Sequence, residues 1–389
     1  MLEFINEELN NLKQAGLFRE LKTIEKISGT RVTISGKEYI NFCSNNYLGL
    51  ANHPKVKAKA IEIINEFGFG AGASRLICGN TVIHELLEAK LAKFKNREGA
   101  IVFPTGYMAN LGTITSLVDE NDTVIIDRLN HASIIDACKL SKAKLQVYPH
   151  LDMSALEKIL QKSGKYKKRL IVTDHVFSMD GDIAPLEQIV KLAKKHQAIT
   201  MIDDAHAVGL KFPAEVDIVM GTLSKALGSL GGFVCGSQKL IDYLRNKARS
   251  FIYTTALPMA ACGAAIAALE VIEEEPELIE KLWDNIRYFR NLRLNVAVSK
   301  EPRRSASGSL PIQSSIIPII LNDATKTMEI AQKLFDQGIL VSAIRPPTVP
   351  KGQSRLRITV SAIHTKEDLT CLASLLQPLI PRSAKYDII

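Results

Sequence analysis

The chain has 389 residues, 46% of them hydrophobic and 23% charged, with 23 Gly and 15 Pro. That is apolar material enough for more than one domain, and it excludes collagen-like, low-complexity and disordered classes. The net charge of +8 suits anionic ligands, phosphorylated cofactors or nucleic acid among them, but the basic clusters at 165–169, 245–249 and 303–304 come with no nucleic-acid motif and read as solvated surface.

Taken in order, residues 1–18 set Glu3, Glu7 and Glu8 within an apolar helical spacing. They read as an amphipathic helix and not as a secretory signal, so a cytoplasmic location is expected. No apolar run nears the ~20 residues of a membrane helix. Runs at 30–34 and 38–42 flank Ser35-Gly36, a hairpin signal. Short β-branched runs follow at 100–103, 123–127, 144–148, 170–174, 199–203, 217–221 and 232–236. Amphipathic stretches separate them; Leu186, Ile189, Val190 and Ala193 share one helical face. Near-continuous apolar strands alternating with helices predict an α/β fold whose sheet is mostly parallel and covered on both sides.

The expected organisation is an N-terminal helix and hairpin segment (1–44), a large α/β domain (45–285) and a smaller C-terminal α+β domain (286–389). The last carries elements at 315–321, 328–337, 339–344, 355–361 and 366–379 after a loop at 299–315. The six cysteines are dispersed, with no CxxC or Cys/His cluster, so no structural zinc site is expected and they read as reduced packing residues.

In such sheets ligands gather at the carboxyl ends of the strands. After the 100–103 run comes Thr105-Gly106-Tyr107, a strand-to-helix turn able to cradle phosphate. Asn130-His131-Ala-Ser133 follows the next strand, Asp174 and then Phe177-Ser178-Met-Asp-Gly another, Asp203-Asp204-Ala-His206 another, and Thr222-Leu-Ser-Lys225-Ala-Leu-Gly228 another. Taken singly, Asp203 could be a helix cap, Lys225 a surface lysine and His131 a loop histidine. Together they bring an acid, a lysine, two histidines and a phosphate cradle to one sheet edge. That set suits pyridoxal phosphate: a lysine forms a Schiff base with its aldehyde, and a carboxylate keeps its ring nitrogen protonated.

These motifs, with Phe42-Cys-Ser-Asn45-Asn-Tyr47, Gly70-Ala-Gly-Ala-Ser74-Arg75 and Ser250-Phe-Ile-Tyr-Thr254-Thr255, resemble the α-oxoamine synthase family over residues 16–380. Its members are fold-type I pyridoxal phosphate enzymes that condense an amino acid with an acyl thioester and release CO2. The resemblance implies Lys225 as Schiff-base lysine, Asp203 as partner of the ring nitrogen, His206 at the phenolic oxygen and His131 stacked on the ring. Ser178 is implied as a polar contact, Thr222 as a phosphate ligand, and Gly106 and Tyr107 as the cradle. Thr254 and Thr255 are implied to reach a neighbouring subunit's phosphate, which means a homodimer with shared sites.

The Ile344-Arg-Pro-Pro-Thr348 and Arg355-Leu-Arg357 stretches match best those members that join L-alanine to a pimeloyl thioester in biotin synthesis. Members joining glycine to acetyl-CoA, or other α-oxoamine synthases such as the aminolevulinate and sphingoid-base types, are the alternative. By position Arg357 grips the amino-acid carboxylate, with Arg355 the weaker choice. Asn45 and Thr348 are substrate contacts, and Arg19 meets the distal end of the acyl chain. Three departures stand out. The segment after His206 is short, Asp174 replaces a usual Glu with His175 in place of a small residue, and 296–313 matches poorly.

Overall fold

The order of strands places every chemistry-bearing strand end on one edge. The computed structural model describes residues 2–292 and 314–380, with the backbone alone at 297–298 and 385–386. The elements are α1 (Glu3–Gln14), β1 (Lys26–Ser28), β2 (Arg31–Ile34), β3 (Lys37–Asn41), α2 (Pro54–Phe67), α3 (Val82–Phe94), β4 (Gly99–Phe103), α4 (Gly106–Leu117), β5 (Thr123–Asp127), α5 (Ala132–Ser141), β6 (Lys144–Tyr148), α6 (Met153–Lys162), β7 (Arg169–Asp174), α7 (Leu186–Lys195), β8 (Ile199–Asp203), β9 (Ile218–Thr222), β10 (Gly232–Gly236), α8 (Gln238–Lys247), α9 (Arg249–Ile252), α10 (Met259–Glu274), α11 (Glu277–Asn291), β11 (Ala297–Val298), β12 (Ile316–Asn322), α12 (Ala324–Asp336), β13 (Ile339–Leu340), β14 (Ser342–Ile344), β15 (Ser354–Thr359), α13 (Lys366–Leu376) and β16 (Lys385–Tyr386). The chain divides into two compact units.

The larger unit, Leu48–Ser178 with Ile183–Ile279, holds the seven-stranded sheet in the order β4-β10-β9-β8-β7-β5-β6. All its strands run in one direction except β10, which is antiparallel to both neighbours, so the expected mostly parallel sheet is present. Strands β4, β5 and β10 are buried at every residue. Such strands need cover on both faces, which is why their sequences run apolar without alternation. Ile101, Phe103, Val124 and Val172 pack with Ala109, Ile114, Ile134, Ile241 and Leu244 of α4, α5 and α8 in one core cluster. The predicted inner face of α7 is the buried one: Leu186, Ile189, Val190 and Ala193.

The smaller unit comprises Met1–Tyr47, Met179–Asp182 and Glu280–Ile389, so the N-terminal segment expected at 1–44 clusters with C-terminal residues. The β2–β3 hairpin turns at Ser35 and Gly36, both at positive φ (49° and 74°), as a two-residue turn requires. The run at 339–344 is two strands, not one: β13 pairs with β3 and β14 with β15. Val341 passes the chain from one sheet to the other, a switch that a uniform apolar run conceals. Thr365 and Asp368 form a capping box at the start of α13, and Arg31 donates to Asp368 at 2.6 Å. The loop expected at 299–315 lies, but for its last two residues, outside the described residues, as does the poorly matching 296–313 apart from backbone at 297–298. Among the described residues no helix is long and apolar enough to cross a membrane.

Candidate active site

Within the larger unit, the carboxyl ends of β4, β5, β7, β8 and β9 lie on one edge, and register sets Asp174 of β7 directly beside Asp203 of β8. Lys225 comes from the turn after β9. That turn is held by Thr222, whose hydroxyl donates to the Gly231 carbonyl at 2.8 Å and receives the Ser224 N–H at 3.2 Å. It closes with the Gly228 N–H on the Lys225 carbonyl at 3.0 Å. Gly228 sits at φ +63°, and a Cβ there would lie 2.2 Å from the Ala51 nitrogen, so only glycine fits. The turn presents Lys225 Nζ 2.7 Å from His206 Nε2.

Asp203 is buried. Its Oδ1 accepts the Ala205 N–H at 3.1 Å and its Oδ2 the Asn110 side-chain amide at 2.8 Å. His131 caps α5: its Nδ1 accepts the Ser133 N–H at 3.3 Å and meets the Ser133 hydroxyl at 2.8 Å. Burial lowers the His131 pKa against the pull of Asp203, and the nearby Lys225 lowers it further. The same two charges act on Asp174, so Lys225, Asp203, His131 and Asp174 share one electrostatic neighbourhood. Asp174 Oδ2 accepts the Asn130 amide at 2.6 Å and the His131 N–H at 3.0 Å. Burial, with Asp203 next to it, pushes the Asp174 carboxyl up to about 8. The shorter acid is thus the anchor of the His131 loop.

His175 turns away from this group, with Nδ1 2.7 Å from Asp204 Oδ1. Lys95 donates to the other Asp204 oxygen at 2.6 Å. Burial pushes Asp204 up, but Lys95 and His175 outweigh it and hold the carboxyl below its usual range. The two adjacent acids therefore serve different purposes. Asp203 faces the histidine cluster, and Asp204 ties β8 to α3.

The residues fit a phosphorylated pyridine. Thr105 caps α4 by accepting the Met108 N–H at 3.1 Å, and Gly106 opens the helix, so amide groups are free to face an anion. Gly232 makes this possible: a Cβ there would lie 2.5 Å from Gly106 Cα and 2.6 Å from its nitrogen. Tyr107, expected in the cradle, is 44% exposed and donates to Asp136 Oδ2 at 2.6 Å. Ser178 is half-buried in the turn after β7.

The substrate contacts implied by resemblance lie in the smaller unit. Arg357 is buried, and its guanidinium donates to Thr359 Oγ1 at 3.0 Å and Asn45 Oδ1 at 3.1 Å. Arg355 is committed elsewhere, to the Asp180 carboxylate and, at 3.2 Å, the Met179 carbonyl. Arg19 lies beyond the end of α1 and donates to Thr348 Oγ1 at 3.3 Å. Both line a groove of about 720 Å³ with Phe18, Phe335, Ile344 and Arg345.

Sequence reasoning gave no role to Asn110, Asn130, Ser133 or Asp180, although the last three sit in the motifs it quoted. Their polarity inside otherwise apolar or glycine-rich strings was the available signal. All six cysteines are free thiols, as expected, but Cys78 and Cys371 are exposed and do not pack a core. Among the described residues no His, Cys, Asp and Glu cluster could hold a metal ion.

A family model for aminotransferase class I and II matches residues 37–376. The 8-amino-7-oxononanoate synthase of Thermoanaerobacter pseudethanolicus is 47% identical over 385 residues, 95% of this chain and 94% of that protein. The enzyme of the same name from Symbiobacterium thermophilum is 45% identical over 386 residues, 95% of each. A serine palmitoyltransferase from S. paucimobilis, solved with a bound PLP–myriocin aldimine, superposes with a TM-score of 0.88 at 31% identity over 97% of both chains. The chain belongs to the class I and II aminotransferase family and, within it, to the α-oxoamine synthases. The two curated relatives narrow that membership to the branch whose members are named 8-amino-7-oxononanoate synthase.

Proposed function

We propose that this chain joins L-alanine to a pimeloyl thioester, releasing CO2 and the thiol, to form 8-amino-7-oxononanoate for biotin biosynthesis. It is a pyridoxal phosphate-dependent acyltransferase. One observation carries the reading: Lys225, His206, Asp203 and His131 meet at the sheet edge beside a helix N-terminus opened by Gly106, in a chain 47% identical to one named 8-amino-7-oxononanoate synthase and 45% to another.

Bound pyridoxal phosphate supplies an aldehyde for the amino group and a ring that takes up electrons released at Cα. Lys225 would hold it covalently through its amine, and that amine, when free, is the base placed to take the Cα proton of alanine. Asp203, kept in place by Asn110 and Ala205, would supply the counter-charge for the ring nitrogen that makes the ring an electron sink. His206 would serve the phenolic oxygen, and Thr222 with the α4 N-terminus would hold the phosphate. His131, whose charged form burial disfavours, would hold the ring and polarise the acyl carbonyl during carbon–carbon bond formation and loss of CO2. Arg357, positioned by Asn45, takes the amino-acid carboxylate, while Arg19 and Thr348 take the acyl substrate.

The working form in this reading is a cytoplasmic homodimer with shared sites. Large apolar side chains are exposed at two of the family motifs: Phe69 at 72% and Ile77 at 79% flank the motif at 70–75, and Tyr253 at 71% precedes Thr254. Such surface favours a partner. Product analysis with alanine, glycine and serine against pimeloyl, acetyl and palmitoyl thioesters tests the reaction. Turnover of alanine with the pimeloyl thioester is expected; preference for glycine with acetyl-CoA would replace the reading by its alternative. Light scattering tests the dimer.

A further inference from the structure

We propose that Asn110 is a positioning residue that, through Ser133, fixes the tautomer of His131 as Nε2–H and so makes this histidine a hydrogen-bond donor and not a base. The inference rests on the proposed reading for its catalytic meaning, but its geometry stands alone. Asn110 projects from α4 and is buried. One atom of its amide lies 2.8 Å from Asp203 Oδ2 and 2.9 Å from Ser133 Oγ. A carboxylate only accepts, so the atom facing Asp203 is the nitrogen, and its two hydrogens go one to each partner.

The consequence passes along the chain of bonds. Asn110 donates to Ser133 Oγ and occupies one of its lone pairs, which leaves the hydroxyl hydrogen for His131 Nδ1 at 2.8 Å, a nitrogen that the Ser133 backbone N–H marks as an acceptor. The Ser133 backbone N–H also points at that nitrogen, at 3.3 Å. A ring nitrogen that receives two donors carries no hydrogen itself. A neutral His131 therefore holds its proton on Nε2. Burial disfavours the charged ring. A donor at Nε2 stabilises an oxygen on which negative charge grows, whereas a bare nitrogen would repel it. The same amide restrains Asp203, so the acid and the histidine that the proposed reading assigns to the cofactor are tied to one side chain.

The test is the side-chain 15N spectrum of histidine-labelled protein, free of cofactor and then loaded, with the His131→Gln variant used to assign the signal. The wild type is expected to give the Nε2–H pattern in both states. Asn110→Leu and Ser133→Ala are expected to give a mixture of tautomers, with kcat falling ~10–100-fold and the KM for the amino acid changing less than the rate. An Nδ1–H pattern in the wild type overturns the proposal outright. Unchanged Nε2–H purity in both folded variants also overturns it, since the backbone cap alone would then suffice. Should Asn110→Leu fail to fold, the wild-type spectrum and Ser133→Ala decide the matter. Failure of alanine and pimeloyl turnover would overturn the proposed reaction and leave the tautomer result standing.

Discussion

Lys225 Nζ and His206 Nε2 lie 2.7 Å apart, brought together from turns on neighbouring strands. In the proposed reading this contact sets the lysine amine and the imidazole within proton-exchange distance of each other at the sheet edge.

Removal of the amine leaves nothing in that position to form the covalent link or take the Cα proton. Lys225→Ala is expected to abolish turnover, and borohydride should fix no cofactor on the chain. Loss of one acid–base group costs ~10²–10⁴-fold, and loss of the covalent link adds to it. Near-normal turnover by this variant would end the proposed mechanism.

Asp174 makes stability depend on pH in a definite direction. Its folded pKa of about 8 lies far above the usual carboxylate value near ~4. Between these values the unfolded chain has lost the proton that the folded chain keeps. Asp174 therefore costs stability as pH rises through that window, by up to ~1.4 kcal/mol per pH unit, with no further change above pH ~8. Asp174→Asn does not titrate. Urea unfolding of the cofactor-free proteins at pH 5, 6.5, 8 and 9 should show the variant gaining on the wild type up to about pH 8 and level thereafter. A gap independent of pH would show that Asp174 titrates normally.

The contact of β10 with the α4 N-terminus leaves no room for a methyl group. Gly232→Ala would place a Cβ 2.5 Å from Gly106 Cα and 2.6 Å from the Thr105 carbonyl. Overpacking of this kind costs about 1–3 kcal/mol, and the displaced turn should bind phosphate poorly. Thermal unfolding and titration with pyridoxal phosphate check the two effects; an unaltered affinity would remove the cradle from this turn.

Arg355 and Arg357 point to one face of β15 but should fail in different assays. Arg355 pairs with Asp180 and is 1% exposed, so Arg355→Met strands a carboxylate and should lower stability by about 3 kcal/mol. Arg357→Lys keeps the charge but loses the fork. It should raise the KM for the amino acid ~10–100-fold with little change in melting temperature. The reverse pattern would exchange the two assignments.

Much of this was legible in advance. The seven strands, the Ser35-Gly36 turn, the inner face of α7 and the strand-end motifs are read from neighbours in sequence, because apolar runs, turn residues and helical faces are short-range properties. Harder to see was the division of 339–344 between two sheets, since both strands draw on one apolar run and only their partners, β3 and β15, distinguish them.

The choice between equivalent side chains was harder still. Asp203 and Asp204 are identical in type and adjacent; only Asn110 on one side and Lys95 with His175 on the other assign them different work. Arg355 and Arg357 are separated by Asp180, which lies 175 positions before the first of them. Sequence by itself determined which chemical groups stand at which strand ends, through patterning that acts over a few residues. Tertiary structure decided which partner each group meets, and so its charge, its tautomer and its availability, because hydrogen bonds and burial depend on residues that only the folded chain brings within 3 Å.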